Sequence, residues 1–354
     1  MAERIPVVIV AGFLGAGKTT LLNDLLHNHR GTRIGVVVND FGAVNIDAML
    51  VAGQVDAMVS VGSGCVCCAV DVTELDDLFT RLTDPRAGID VIVVEASGLA
   101  EPRNLVRMVV GSENPRIRYG GLLEVVDAAE FSATRERHPE LASHLRLADL
   151  VVLNKVDRLA PGELDRLRAE IATITEGAPV YATTRGRIDP GLLFDPRDPA
   201  APRPGEQLSL DELLFDHDHH HDGDGHRHLH DEYTSTVFSS GTPVHPRRLV
   251  EFLEDPPPGL FRAKGFATFA VPGADRFVVH LVGRAITFEP VRGGRAPRTE
   301  LVLIGTGLDT RAVLDRLGET VHAGPEPLTE QDLLGVWRYV PEEVTASSTV
   351  TEGM

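Results

Sequence analysis

Val8-Ile9-Val10-Ala11-Gly12-Phe13-Leu14-Gly15-Ala16-Gly17-Lys18-Thr19-Thr20-Leu21-Leu22 is the stretch whose reading decides the fold. A short apolar run with β-branched residues enters a glycine-rich turn. Leucines at helical spacing leave it, at positions 21, 22, 25 and 26. Residues 12–19 fit G-x-x-x-x-G-K-[ST], and the strand-to-helix context is what gives that pattern its meaning as a phosphate-binding loop. The glycines let successive backbone N–H groups turn inward around phosphates, and the helix start adds the positive end of its dipole. Gly12, Gly15, Ala16, Gly17, Lys18, Thr19 and Thr20 are therefore the expected phosphate contacts. Lys18 is expected to neutralise the β- and γ-phosphates and the Thr19 hydroxyl to ligate Mg²⁺. Binding and hydrolysis of a nucleoside triphosphate follow as the expectation.

Beyond this loop, further apolar runs at Ile34 to Val38, Val55 to Val61, Val91 to Val94, Gly121 to Val126 and Leu150 to Leu153 alternate with helical patterns. Strands buried on both faces and alternating with helices indicate an α/β domain with a mostly parallel sheet. Asn154-Lys155-Val156-Asp157 follows the last of these runs, at the carboxyl edge of the sheet where ligands bind. An aspartate there can accept from both N1–H and the 2-amine of guanine, whereas adenine would leave it unpaired. Asn154, Lys155 and Asp157 are thus candidate base contacts, and GTP the expected nucleotide. Glu95-Ala96-Ser97-Gly98 ends another strand, where Glu95 could hold Mg²⁺ through water and act in catalysis. Asn39-Asp40-Phe41-Gly42 and Asp47 could form a switch that orders around Mg²⁺ and the γ-phosphate. No general base or arginine finger stands out, so slow intrinsic turnover is expected.

The formal net charge is -18, with 52 acidic and 34 basic residues. A basic footprint for nucleic acid is lacking, as is one for anionic membrane, so neither is an expected partner. No apolar run approaches the roughly 20 residues of a membrane span. Ile5 to Leu14 runs into the glycine loop without a cleavage site, which reads as a buried first strand in a cytoplasmic protein.

The three cysteines all lie in Cys65-Val66-Cys67-Cys68. With no distant partner, a disulfide framework is excluded. The segment precedes a helical pattern beginning near Val72, and a helix N-terminus favours thiolates. Three thiolates and a fourth donor suit tetrahedral Zn²⁺. Buried free thiols or a redox role are the competing readings.

Seven of the fourteen histidines (His217, His219, His220, His221, His226, His228 and His230) fall in one Asp- and Gly-rich stretch. It has too few apolar groups to build a core. A metal-capturing arm and a solvated spacer are both compatible with it.

The chain divides by composition into 1–188, a linker with the histidine-rich loop at 189–232, a smaller α+β domain at 233–343, and a Ser/Thr-rich tail at 344–354 expected to be disordered. A helix is expected at Leu208 to Phe215. In the second domain strands are expected at Thr234 to Phe238, Phe266 to Val271, Phe277 to Phe288 and Glu300 to Ile304. Helices are expected at His245 to Glu254 and Asp309 to Leu317.

Together these elements resemble the CobW-like GTPases, metallochaperones related to the hydrogenase and urease nickel-insertion GTPases. The resemblance rests on Gly12 to Thr20, Gly64-Cys65-Val66-Cys67-Cys68, Glu95 to Pro102 and Asn154 to Asp157. Arg262 to Phe266, Ile304 to Asp309 and the histidine-rich insertion also match, so about residues 5 to 340 are covered.

It implies that Cys65, Cys67 and Cys68 hold Zn²⁺ between two switch segments. GTP binding would order the site, and hydrolysis to GDP would release the metal to a client metalloprotein. Family members commonly carry Glu at the positions of Asp40 and Ala43, and Asn at Ser63. A role for position 43 therefore does not carry over. Delivery of cobalt in cobalamin synthesis, or a zinc buffer stabilised by nucleotide, are the alternatives.

Overall fold

A computed structural model describes residues 4–29, 31–38, 57–60, 72–98, 101–195, 233–274, 276–291, 298–324 and 327–341. The chain forms two compact units, one from residues 1–171 and 182–232, the other from 172–181 and 233–354.

The first unit is built on a seven-stranded sheet, whose last strand runs across the division between residues 181 and 182. Its strands are β1 (Ile5–Ala11), β2 (Ile34–Val38), β3 (Ala57–Ser60), β4 (Val91–Glu95), β5 (Ile117–Asp127), β6 (Leu150–Asn154) and β7 (Val180–Ala182). Their spatial order is β3-β2-β4-β1-β5-β6-β7. The pairs β2–β3, β2–β4, β1–β4, β1–β5 and β5–β6 are all parallel. This is an α/β fold. Parallel strands have helices on both faces, so both faces must be apolar. Val7 to Ala11 and Val91 to Val94 accordingly have almost no exposure.

Helix Lys18–His27 buries Leu21, Leu22, Leu25 and Leu26 along one stripe. Helix Pro102–Val110 starts with proline, which fits a helix's first turn because its missing N–H would have no intrahelical partner there.

Two elements differ from the sequence expectation. β5 begins at Ile117 rather than at Gly121, pairing with Ile5 to Val7 before a register shift. Arg118 and the Gly120-Gly121 pair interrupt the apolar pattern there, hiding the strand's first half. β7 was not expected at all. It is only three residues long, too short to show a period.

The second unit carries a five-stranded antiparallel sheet, β8 (Thr234–Ser240), β9 (Leu260–Ala267), β10 (Arg276–Val282), β11 (Ala285–Val291) and β12 (Thr299–Gly305). Its order is β11-β10-β9-β12-β8. Helices Pro246–Glu254 and Thr310–Gly318 bury Leu249, Val250, Phe252, Leu253, Val313 and Leu317.

The expected strand Phe277 to Phe288 is in fact a hairpin, with Val282 paired to Ala285 across Gly283-Arg284. Apolar residues on both sides of the turn masked it. The expected strand Phe266 to Val271 is displaced towards the N-terminus, since β9 starts at Leu260. There Arg262 and Lys264 alternate with Phe261 and Ala263, so no continuous apolar run marks it. The expected helix at 208–215 and the tail at 344–354 lie outside the described residues.

Phe277 is fully buried and meets Phe269 at 5.4 Å, Phe288 at 6.2 Å and Trp337 at 5.7 Å between ring centroids. Phe277→Ala should therefore cost this unit about 3–5 kcal/mol. Chemical denaturation followed by Trp337 fluorescence reads the loss directly.

Candidate nucleotide site

The loop after β1 is shaped by backbone that only glycine adopts without strain. Gly12 has φ 142° and Gly17 φ 106°. A Cβ on Gly12 would lie 2.2 Å from the Val125 carbonyl oxygen, and one on Gly17 2.3 Å from Asn154 Nδ2. The loop therefore presses directly on β5 and on the residue that closes β6. Gly17 is the N-cap of the helix, so Lys18, Thr19 and Thr20 form its first turn.

Lys18 is nearly buried, and its Nζ donates to the Gly12 carbonyl at 2.8 Å. The Thr19 hydroxyl donates to Glu95 Oε1 at 3.0 Å. Glu95 stands at the carboxyl end of β4, in register with Val10 of β1 and Val38 of β2, and is 3% exposed. A hydroxyl and a carboxylate brought together beside a phosphate loop form a hard-oxygen donor set. Such a set suits Mg²⁺, which prefers few protein oxygens plus water and phosphate.

The Asn154-Lys155 pair is bonded into the same loop. Asn154 Nδ2 donates to the Ala16 carbonyl at 2.9 Å, while its Oδ1 accepts from the backbone N–H of Lys155 and of Gly186, both at 2.9 Å. Lys155 takes the left-handed conformation, φ 63°. Its Nζ donates to the Gly15 carbonyl at 2.6 Å and to Asp127 Oδ2 at 2.7 Å. Asp157, in the short turn Val156–Arg158, is exposed. The fold thus brings Gly12, Gly15, Ala16, Gly17, Lys18, Thr19, Glu95, Asn154 and Lys155 together at the carboxyl edge of one sheet.

Three features were not singled out in the sequence. Asp127 fixes Lys155, yet it reads as an ordinary strand-end residue. The segment Thr183 to Arg187 returns to the site, with the Gly186 N–H held by Asn154; T-T-R-G after a strand too short to recognise gave little signal. Glu124 sits fully buried in β5, and a lone acid inside Leu122-Leu123-Glu124-Val125-Val126 was the visible clue. Burial pushes its carboxyl up to about 8, while Lys18 draws it down and Glu101 raises it.

Cys65, Cys67 and Cys68, the switch residues Asn39 to Gly42 and Asp47, Ala43, Ser63 and the seven histidines from His217 to His230 lie outside the described residues. Among the described residues no group of three or more His, Cys, Asp or Glu is arranged to hold a metal ion. Among them, too, no helix is long and apolar enough to cross a membrane.

Loop, lysine, hydroxyl–carboxylate pair and Asn-Lys tie define a P-loop nucleotide-binding protein. Residues 6–182 match the family model for the CobW/HypB/UreG nucleotide-binding domain, and residues 233–321 match that for the cobalamin synthesis protein cobW C-terminal domain. The zinc chaperone CobW of Pseudomonas aeruginosa is 33% identical over 359 residues, covering 89% of this chain and 91% of the relative. The zinc chaperone YjiA of Escherichia coli is 34% identical over 197 residues, which span 54% of this chain and 61% of that protein. The crystal structure of the Zn(II)-bound YjiA GTPase from E. coli is similar at 23% identity and a TM-score of 0.41, covering 90% of this chain and 99% of that one. The chain belongs to the CobW family.

Asn154→Ala would strip hydrogen bonds from the Ala16 carbonyl and from the N–H groups of Lys155 and Gly186 at once. Nucleotide affinity should fall about tenfold or more, equivalent to at least ~1.4 kcal/mol, measurable by fluorescent-nucleotide titration. An unchanged affinity would mean that the tie between Asn154 and the loop does not shape the site.

Proposed function

We propose that the chain is a GTPase that uses the bound nucleotide to control a Zn²⁺ ion and pass it to a client metalloprotein. The observation that carries the nucleotide half is the Asn154–Lys155 tie to the Ala16 and Gly15 carbonyls. It fixes the turn bearing Asp157 to the phosphate loop, so a carboxylate stands ready for the N1–H and 2-amine of guanine. Lys18 neutralises charge on the transferring phosphoryl group. Thr19 and Glu95 would hold Mg²⁺, which when bound stabilises developing negative charge.

The metal half rests on the cysteines and on the chain's relatives. β3 runs parallel to β2, so its carboxyl end at Ser60 lies on the same sheet edge as the phosphate loop. The connection holding Cys65, Cys67 and Cys68 leaves from that end and rejoins at helix Val72–Leu82. The relatives from P. aeruginosa and E. coli bear the name zinc chaperone, which favours Zn²⁺ as the cargo. Thiolate donors agree with that choice over harder ions.

Two measurements test the halves separately. Asp157→Asn should lower GTP turnover efficiency by roughly 10²-fold or more and shift preference to xanthosine triphosphate, whose 2-oxo group accepts from an amide. Equal use of GTP by both proteins would remove the guanine assignment. For the metal, Zn²⁺ titration of wild type and Cys67→Ala should show tighter binding by wild type with a non-hydrolysable GTP analogue than with GDP. Unchanged affinity on substitution would move the site to the histidines, and equal affinity in both nucleotide states would make the protein a buffer.

A further inference from the structure

Glu124 conflicts with its surroundings. Its in-register neighbours on β1 and β6 are Ala11 and Val151, both buried and apolar. Neither carboxylate oxygen has a hydrogen-bond partner among the described residues. A buried acid without donors is costly, and a chain that keeps one against local packing is usually using it.

The charged and titratable groups around it come from three elements. Lys18 approaches from the helix after the phosphate loop and acts on it electrostatically. His144, on helix Leu141–Leu147, places Nδ1 4.0 Å from Glu124 Oε1. Its other nitrogen, Nε2, lies 3.5 Å from Glu101 Oε2, at the N-cap of helix Pro102–Val110. The side chains are 0%, 10% and 45% exposed in the order Glu124, His144, Glu101, so the line runs from the core to solvent. The His144 ring also stacks on Phe13 of the phosphate loop, with centroids 5.5 Å apart, and His138 meets the same Phe13 at 4.9 Å.

We infer that Glu124 is a proton acceptor coupled to the phosphate loop, with His144 and Glu101 forming its route to solvent. The inference rests on the nucleotide-binding reading alone and not on hydrolysis or zinc. In the empty site the Lys18 cation supports the Glu124 carboxylate against desolvation. Phosphates arriving at the loop spend that cation on themselves and add negative charge nearby. A proton from solvent then moves onto a Glu124 oxygen, forming an O–H bond, and no other bond changes. Because burial already holds this carboxyl near 8, uptake is small at pH 7 and grows as pH rises through 8. Nucleotide affinity falls over the same range, since the proton must be gained to bind.

Calorimetric titration of the full chain with Mg·GDP in Tris and in EPPS, buffers of unequal ionisation heat, measures the protons taken up. Wild type should take up roughly half a proton or more at pH 8.5 and little at pH 7, with affinity falling about threefold more than in Glu124→Gln over that interval. The nucleotide's own titration is common to both proteins and cancels. Uptake equal in wild type and Glu124→Gln would overturn the inference while leaving nucleotide binding intact. So would zero uptake by wild type at pH 8.5, whatever the stability of the variant. Absence of any Mg·GDP binding would overturn the nucleotide reading together with it.

Discussion

A loop that offers its N–H groups to phosphate has to turn its carbonyl oxygens elsewhere, where donors can pair with them. In this protein three side chains supply them. Lys18 bonds the Gly12 carbonyl, Lys155 the Gly15 carbonyl and Asn154 that of Ala16, while the Ala16 N–H closes a turn on Phe13. The anion-binding face exists because its opposite face is satisfied. Two of those donors come from the end of β6 and the residue after it, two strands from β1 and about 140 residues away in sequence. The order of strands is therefore part of the site: β5 and β6 must follow β1 in space for Asn154 and Lys155 to reach the loop.

That constraint also explains which parts of the protein could be read from sequence. Gly12 to Thr19 was legible because its chemistry is local, with each residue type dictated by backbone shape or phosphate charge. Asn154 to Asp157 stood out in the sequence as a candidate guanine contact. Its structural role, holding the loop's carbonyls, became visible only with the fold. Asp127 and the Gly186 N–H were not legible, because each acts on a motif residue across a sheet rather than along the chain. The hairpin at Gly283-Arg284 failed for a different reason. Both its strands are largely apolar, so the pattern ran through the turn without a break.

Glu124 belongs to a third class, readable as an anomaly but not as a function. An acid within Leu122 to Val126 contradicts the demand that a central parallel strand be apolar on both faces. Only the placement of Lys18, His144 and Glu101 around it turns that contradiction into chemistry. Local conflict of this sort points to a position, and tertiary neighbours then say what the position can do.

The same neighbours bear on how a phosphate signal could leave the site. A Cβ on Gly98 would lie 2.9 Å from the Leu14 backbone nitrogen, so the segment leaving Glu95 lies directly against the phosphate loop. Three residues beyond Gly98 stands Glu101, the N-cap of a helix and the outer member of the line through His144. Thr19 and Glu95 touch one end of this segment, and Glu101 and His144 the other. A nucleotide can shift an equilibrium only through contacts that differ between its two states. The γ-phosphate is the group present in one state and absent in the other, and on the proposed reading Thr19, Glu95 and Gly98 would sense it. Gly98 and Glu101 stand three positions apart, so the phosphate loop and the outer member of the line to the buried acid are joined within one short stretch of chain.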